Sequence, residues 1–354
     1  MSGRVAVVHD WLTGMRGGEA VLEAILDLFP NAELFTLFHF RGSVSEKIEA
    51  RTIHTSFLQS VAQRVSDYRQ LLPLYPRAAR SLDLRGFDLV VSSSHCVAKG
   101  VHARGARHIT YCHTPMRYMW DRFDDYFPKS KPALRLAASA LRPWLQRWDR
   151  DTRGVTQFLA NSRFVAKRIE TYYGRSADIV PPFVDERFLR PPLQNEREDF
   201  HLIVSALVPY KKIELAIESG RKIEIIGGGP LLRKLQRQAG PNVRFLGPVS
   251  RDRIIERLSR ARSLILPGIE DFGITPLEAM ALGTPVVALG QGGVLDTVVH
   301  GRTGILFEEP MVDSLLRALD AVESRSWDRE ALRAHAASFS RERFLRQFAA
   351  AMQP

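Results

Sequence analysis

Short apolar segments rich in Val, Ile and Leu recur along the chain, and between them apolar residues fall at helical spacing. Such segments occupy residues 4–9, 87–92, 108–112 and 157–161, then 202–205, 222–226, 264–267 and 285–289. Brief apolar runs bounded by turn residues read as strands buried on both faces, and their alternation with helices predicts parallel sheets covered by helices on either side. The two series are separated by Val180-Pro181-Pro182-Phe183-Val184-Asp185 and Arg190-Pro191-Pro192, followed by a polar, charged stretch to Asp199. Proline steps of this kind suit neither helix nor strand, so a domain boundary is expected there. At the other end, Phe344, Leu345, Phe348, Ala349 and Met352 share one helical face and predict a terminal amphipathic helix.

With 354 residues, 45% hydrophobic and 25% charged, the chain is large enough for two hydrophobic cores. The expected division is 1–180, 181–335 and a C-terminal helix within 336–354. Apolar runs such as Phe87 to Val91 fall far short of the roughly 20 residues needed to cross a bilayer. The first residues pass directly into the strand-like Val5-Ala6-Val7-Val8 without the apolar core of a signal peptide, so a cytoplasmic location is expected. Two cysteines, Cys96 and Cys112, are too few for a disulfide framework and are expected to be buried thiols.

The formal charge of +11, from 50 Lys and Arg against 39 Asp and Glu, favours anionic partners without choosing among nucleotides, phosphorylated lipids, membranes and nucleic acid. The arginines are scattered, whereas nucleic-acid modules concentrate basic and aromatic residues on one element, so no nucleic-acid partner is expected. Residues 132–150 combine an apolar stripe, Leu134, Ala138, Leu141, Leu145 and Trp148, with Lys131, Arg135, Arg142, Arg147 and Arg150. This pattern is read first as a helix facing the core with a solvated basic side, with peripheral contact with an anionic membrane as the lesser alternative; Pro143 argues for a kink.

The sharpest chemical feature is Glu270-Asp271-Phe272-Gly273-Ile274-Thr275-Pro276-Leu277-Glu278-Ala279-Met280-Ala281-Leu282-Gly283 between two strand segments. Gly273 permits close approach of the backbone, Pro276 suits a first helical turn, and Gly283 a helix end. The amides of Ile274, Thr275 and Leu277 at the helix start favour an anion such as diphosphate. A carboxylate at Glu278 would repel phosphate, so its useful work is to accept hydrogen bonds from sugar hydroxyls. By spacing alone Glu270 is equally a loop charge, and Glu278 equally a first-turn residue complementing the helix dipole.

These residues, with two glutamates framing Phe-Gly and followed by Ala-Met-Ala and Gly-Thr-Pro-Val-Val, resemble the donor-site signature of retaining glycosyltransferases of family 4. That family has the GT-B fold, two Rossmann-like α/β domains with parallel sheets facing a central cleft. The resemblance extends to Val204 through Lys212, to Ile226-Gly227-Gly228-Gly229-Pro230-Leu231, to Phe245-Leu246-Gly247-Pro248-Val249, and to His9 through Glu19. The last of these, with Tyr111 through Trp120, resembles the branch of mannosyltransferases acting in cell-surface polysaccharide synthesis.

The resemblance implies donor-site roles for Lys211, Lys212, Gly228, Glu270, Phe272, Gly273, Ile274, Thr275 and Glu278. Glu278 would bind ribose, Glu270 and the backbone of Phe272 to Thr275 the sugar and phosphates, and Lys211 the leaving diphosphate. It also implies that the loop carrying Gly17 and Gly18 approaches the donor phosphate or the acceptor, that His113 contacts the sugar or the reaction centre, and that the terminal helix returns to the first domain. Lys211, Glu270 and His113 are the catalytic candidates. Family members commonly carry an Arg five residues before the Lys, where this chain has Ala206. The glycine spacing near residue 14 is not the dinucleotide-binding fingerprint, so a nicotinamide enzyme is disfavoured.

The implied activity is retaining transfer of a hexose, by best match mannose from GDP-mannose, to a glycan or lipid-linked saccharide. The alternatives are a non-catalytic sugar-nucleotide-binding regulator or scaffold, and a UDP-sugar-dependent transferase or epimerase of the same fold. No metal or cofactor is expected beyond the nucleotide-sugar donor. Asp149-Arg150-Asp151 ends a helical pattern and has an arginine between its carboxylates, so it is assigned to helix-surface charge and not to a metal site.

Overall fold

The computed structural model describes residues 3–192 and 196–353; Met1, Ser2, Leu193 to Asn195 in the polar stretch after the prolines, and Pro354 lie outside the described residues. The chain divides into two compact units, Met1–Pro181 with Leu345–Pro354, and Pro182–Phe344.

The first unit is built on one parallel sheet of β1 (Val5–His9), β2 (Glu33–Thr36), β3 (Ile53–Thr55), β4 (Leu89–Ser94), β5 (Arg107–Cys112), β6 (Gln157–Ala160) and β7 (Asp178–Ile179). Their order is β3-β2-β1-β4-β5-β6-β7. The winding therefore reverses between β1 and β4, where His9 lies opposite Ser93. Among its helices are α1 (Gly17–Leu28), α2 (Pro132–Arg150) and α3 (Arg163–Tyr173). Local chemistry sets their ends. The Glu19 carboxylate accepts the Arg16 amide at 3.0 Å, which fixes the start of α1. Ser162 accepts the Val165 amide to start α3, and Gly174, at φ 64°, ends it in the left-handed conformation.

The second unit has a parallel sheet of β8 (His201–Val204), β9 (Ile223–Ile226), β10 (Val243–Gly247), β11 (Leu264–Leu266), β12 (Val286–Leu289) and β13 (Gly304–Phe307), in the order β10-β9-β8-β11-β12-β13. The reversal here falls between β8 and β11. Helices α4 (Arg251–Arg260), α5 (Ile274–Ala281), α6 (Val312–Glu323) and α7 (Arg329–Ala337) flank it. The last helix, α8 (Arg341–Ala351), begins in the second unit and ends in the first. Arg107 and Gln157 donate to the carbonyls of Met352 and Ala351 at 2.6 and 2.8 Å, and Phe348 is buried beside Tyr111. The end of α8 thus satisfies carbonyls it could not pair internally by using side chains of β5 and β6.

Two expectations are corrected. Asp149 is not surface charge: it is fully buried, accepts the Trp120 indole N–H at 2.7 Å and pairs with buried Lys99 at 3.1 Å. A buried ammonium demands a buried counter-charge, and Asp149 supplies it, while Asp151 pairs with Arg80 and Arg153 outside. The apolar stripe of α2 is also not continuous. Ala138, Leu145 and Trp148 are buried, whereas Leu134 is exposed, and the helix runs through Pro143 as one element. Both cysteines are buried free thiols, as expected. Among the described residues, no helix is long and apolar enough to cross a membrane.

The core of the first sheet also holds His108, whose Nδ1 lies 3.2 Å from the Gly154 carbonyl and whose Nε2 lies 2.9 Å from Ser92 Oγ. Burial pushes this imidazole down to about 4. The folded form refuses a proton that the unfolded chain accepts near pH 6.5. The resulting stability is full above that pH and is lost as pH falls towards 4, by roughly 3 kcal/mol. Urea midpoints measured downward from neutral pH are expected to fall over this window, and to fall less steeply in His108→Gln. An unchanged slope in the variant would remove His108 as the cause.

Candidate functional site

In a doubly wound sheet, ligands gather at the carboxyl ends of the strands flanking the reversal. In the second unit these are β8 and β11. After β8 the chain makes a short 3₁₀ turn, Pro209–Lys211, and after β11 it runs through Pro267 and Gly268 to Glu270. The Lys211 ammonium and Glu270 carboxylate form a half-buried ion pair. Gly268 makes this meeting possible. A Cβ there would stand 2.6 Å from the Lys211 Cα and closer still to the Tyr210 carbonyl, so only glycine lets the two loops touch. From below, the Gly293 amide donates to the Glu270 carbonyl at 2.8 Å and holds the second loop in place.

Helix α5 starts four residues beyond Glu270, capped by Gly273 in the left-handed conformation at φ 89°. Ile274 and Thr275 are its first two residues, so their amides have no partner within the helix and carry the positive end of its dipole. The Phe272 side chain is buried in the core beside Phe339, which leaves only its backbone for a ligand. Glu278 lies in the second turn of α5, one turn later than expected from the sequence. It is nearly fully buried and accepts a hydrogen bond from Arg251 at 3.0 Å. Burial pushes its carboxyl up to about 7, against the pull of the Arg251 guanidinium.

The sequence reading missed Arg251. It is the first residue of α4, directly after the cap Ser250, which accepts the Arg253 amide at 3.3 Å. A capping serine just past Gly247-Pro248 was the available signal. Lys212 caps the next helix at φ 49°, a conformation costing a side-chain-bearing residue roughly 1 kcal/mol. Gly228 lies at the end of β9, where its carbonyl accepts the Leu207 amide at 2.9 Å and ties that loop to the one after β8. Ala206 in the β8 loop is exposed and offers no charge.

In the first unit, β1 ends in His9, β4 carries Ser93 one residue before its end, and β5 ends at the residue before His113. Ser93 Oγ bridges the two imidazoles, 3.1 Å from His9 Nδ1 and 2.8 Å from His113 Nε2. Beyond His9, the Glu19 carboxylate stands 3.8 Å from Nε2. His95 completes a trio of rings with centroids 6.1 to 6.5 Å apart. Below them, buried Asp10 accepts the backbone amides of His95, Cys96, Val97 and Ala98 at 2.6 to 3.0 Å. Burial opposes its ionisation, but His95, His9 and these amides outweigh it and hold the carboxyl below its ordinary value. Gly17 and Gly18 open α1 over this group; a Cβ on Gly18 would stand 3.8 Å from His9 and 3.9 Å from His113. Burial, then His9 and His95, push the half-buried His113 down to about 3, so it is neutral near pH 7. It can exchange hydrogen bonds, through Nδ1 once Ser93 holds Nε2, but it cannot serve as a cation.

The second unit therefore brings together a lysine, two carboxyl groups and an open helix start, a set able to hold an anion and hydroxyls side by side. The first offers hydrogen-bonding groups on a rigid floor, with His113 neutral among them. Among the described residues, no cluster of His, Cys, Asp or Glu is arranged to hold a metal ion.

Both units are doubly wound Rossmann-like domains, and solved glycosyltransferase structures share this fold over the whole chain. The sucrose-phosphate synthase of Thermosynechococcus elongatus matches at TM-score 0.74 and 14% identity, covering 98% of each chain. The Anabaena protein HepE in complex with UDP matches at TM-score 0.71 and 16% identity, covering 99% of each. The family model "Glycosyltransferase Family 4" matches residues 36–188, and "Glycosyl transferases group 1" matches residues 185–339. The chain belongs to the GT-B glycosyltransferases of family 4. A GDP-mannose-dependent alpha-(1-6)-phosphatidylinositol monomannoside mannosyltransferase of Mycobacterium tuberculosis is 30% identical over 203 residues, 48% of this chain and 52% of that one. A D-inositol 3-phosphate glycosyltransferase of Pseudarthrobacter chlorophenolicus is 29% identical over 186 residues, 44% of each. The chain spans about half the length of the curated relatives it matches.

Replacing Gly268 by Ala forces the β8 and β11 loops apart and is expected to destabilise the chain by about 1–3 kcal/mol. Gly240→Ala, where an added Cβ meets nothing within 4 Å, is the matched control and should stay within about 0.5 kcal/mol of wild type. Equal melting temperatures for the two variants would contradict the close-approach account.

Proposed function

We propose that this chain is a retaining glycosyltransferase that moves a hexose, mannose from GDP-mannose by preference, onto a glycan or lipid-linked saccharide. The observation that carries the proposal is the Lys211–Glu270 pair beside the open start of α5, with Glu278 buried in the next turn. A nucleoside diphosphate sugar supplies what each group lacks. Its phosphates compete with Glu270 for Lys211 and meet the amides of Ile274 and Thr275, its ribose hydroxyls donate to Glu278, and its hexose hydroxyls donate to the Glu270 carboxylate that Lys211 then releases. The family resemblance and the mannosyltransferase relatives favour GDP-mannose.

The bond from the anomeric carbon to the diphosphate breaks while the acceptor hydroxyl oxygen attacks from the same face. The acceptor proton passes to the departing phosphate oxygen, so no covalent enzyme nucleophile is needed. Negative charge grows on the diphosphate as it leaves, and a cation held in place there lowers the barrier. His113 is assigned a neutral hydrogen bond to the sugar. Ala206 favours one rival, a chain that binds donor without turning it over, because losing a donor at such a position removes on the order of 3 kcal/mol of transition-state stabilisation. Hydrolysis or transfer assays separate the two.

The direct test is thermal stabilisation by GDP, UDP, ADP and their sugar conjugates, since a ligand of the folded state raises apparent stability with its affinity. One base is expected to raise the melting temperature in wild type and not in Glu278→Ala. No shift with any nucleotide would sink the donor site, and a shift with UDP in place of GDP would sink the mannose assignment.

The buried carboxyl of Glu278 adds a pH signature. Ribose hydroxyls prefer the ionised form, so binding works against protonation below about 7. GDP-mannose, whose phosphates keep one charge each over this range, is expected to bind about tenfold more tightly at pH 8 than at pH 6. Glu278→Gln should abolish that dependence; a parallel slope in the variant would place the titrating group elsewhere.

A further inference from the structure

The face that α2 turns to solvent is apolar, and it is not the stripe that the sequence suggests. Ala133, Leu136, Ala137, Ala140, Pro143 and Trp144 are exposed, with Leu136 at 74% and Trp144 at 47%. Successive steps of three and four residues place them on one side of the helix, over about 17 Å from Leu136 to Arg147. Exposed Lys129 and Lys131 precede this face, and exposed Arg147 and Arg150 end it. The one carboxylate within α2, Asp149, is buried against Lys99.

At the carboxyl end of α2 the surface dips into a concavity of about 520 Å³ lined by Arg80, Trp144, Arg147, Arg150, Asp151 and Arg153, with Trp148 at its floor. Trp148 is 8% exposed, and its indole N–H has no hydrogen-bond partner among the described residues. The four guanidinium groups around it can only donate. Against them stands one carboxylate, Asp151, shared by Arg80 and Arg153. The site therefore lacks an acceptor-rich anion. Near the other end, Asp124 and Asp125 pair with Arg135 and Arg122.

We infer that α2 docks on an anionic lipid surface, with Leu136 and Trp144 entering the acyl boundary and the arginine-lined concavity taking a lipid phosphate. Both parts are needed. A free anion would explain the arginines but not the apolar face running into them, and an uncharged apolar partner would explain the face but not the arginines. The inference does not rest on the donor reading, because the test contains no nucleotide.

The test is co-sedimentation of the whole chain with vesicles of phosphatidylcholine alone and of phosphatidylcholine with phosphatidylglycerol. Wild type is expected to bind the second and not the first, with binding weakened by salt. Arg147→Glu with Arg150→Glu should lower the partition constant about 25-fold or more, at roughly fivefold per basic residue. Leu136→Ser and Trp144→Ser should each weaken it while leaving the melting temperature unchanged, since both residues are exposed. Brominated acyl chains should quench fluorescence in wild type and less in Trp144→Phe. Failure of wild type to bind phosphatidylglycerol overturns the inference, as does equal binding by the variants. Full displacement by millimolar inorganic phosphate would show a free-anion site instead, and self-association lost in Leu136→Ser would show that a second copy covers the face.

Discussion

The meeting of Lys211 with Glu270 is the contact on which the second unit's proposed chemistry depends, and a missing side chain permits it. Parallel strands β8 and β11 are neighbours only because the sheet reverses there, so their loops leave side by side in opposite directions. Side-by-side loops normally stay a side chain apart. Gly268 removes that spacing, bringing backbone onto backbone, and a lysine and a glutamate 59 residues apart in sequence share one half-buried position. The pair is satisfied but replaceable, because an anion with more charge than a carboxylate can take the lysine. A fully buried pair would resist that exchange, and a fully exposed one would be screened to little effect.

The first unit solves a different problem at its own reversal. Four amides converge where the chain leaves β4, and Asp10 at the end of β1 receives all four. This buried carboxylate fixes the loop that carries His95 and supports Ser93, which in turn holds His9 and His113. Every group in the chain is set by the one beneath it, so His113 keeps one orientation and one charge state. The result is a polar surface that carries direction without net positive charge.

Much of the fold was legible because the central strands are buried on both faces and read as unbroken apolar runs. All eight expected segments are strands. Five escaped: β2 opens on Glu33 and spans four residues, β3 contains His54, β7 is two exposed residues, β10 carries exposed Arg244, and β13 begins at Gly304. Half-solvated edges leave too short an alternation to detect. Within the site, the two glutamates proposed to bind the donor were singled out through their spacing across a loop and helix start. Ser93, His95 and Arg251 were not, because their roles come from register. Ser93 meets His9 only once β1 and β4 pair, 84 residues apart, and Arg251 meets Glu278 only once α4 packs beside α5. The burial of Asp149 was hidden for the same reason, since Lys99 is 50 residues away.

The excess positive charge also finds an explanation that composition could not give. A basic chain that binds a nucleotide invites the conclusion that its net charge serves the nucleotide. The geometry argues otherwise. Lys211 faces Glu270 and Arg251 faces Glu278, so the second unit's site holds its cations against carboxylates, and His113 in the first is held neutral by burial. A site balanced in this way, in the proposed function, would recognise a diphosphate by placement of donors and by the helix start, and would gain selectivity over simple anions because each cation must be exchanged from a partner already in place. Beside α2, by contrast, four arginines, Arg80, Arg147, Arg150 and Arg153, share the single carboxylate of Asp151, and exposed Leu136 and Trp144 adjoin them. Charge that attracts a broad surface gains from exposure and from outnumbering its counter-charges, whereas charge that must choose one ligand gains from being paired and half-buried, and under the proposed roles the chain keeps the two kinds in separate places.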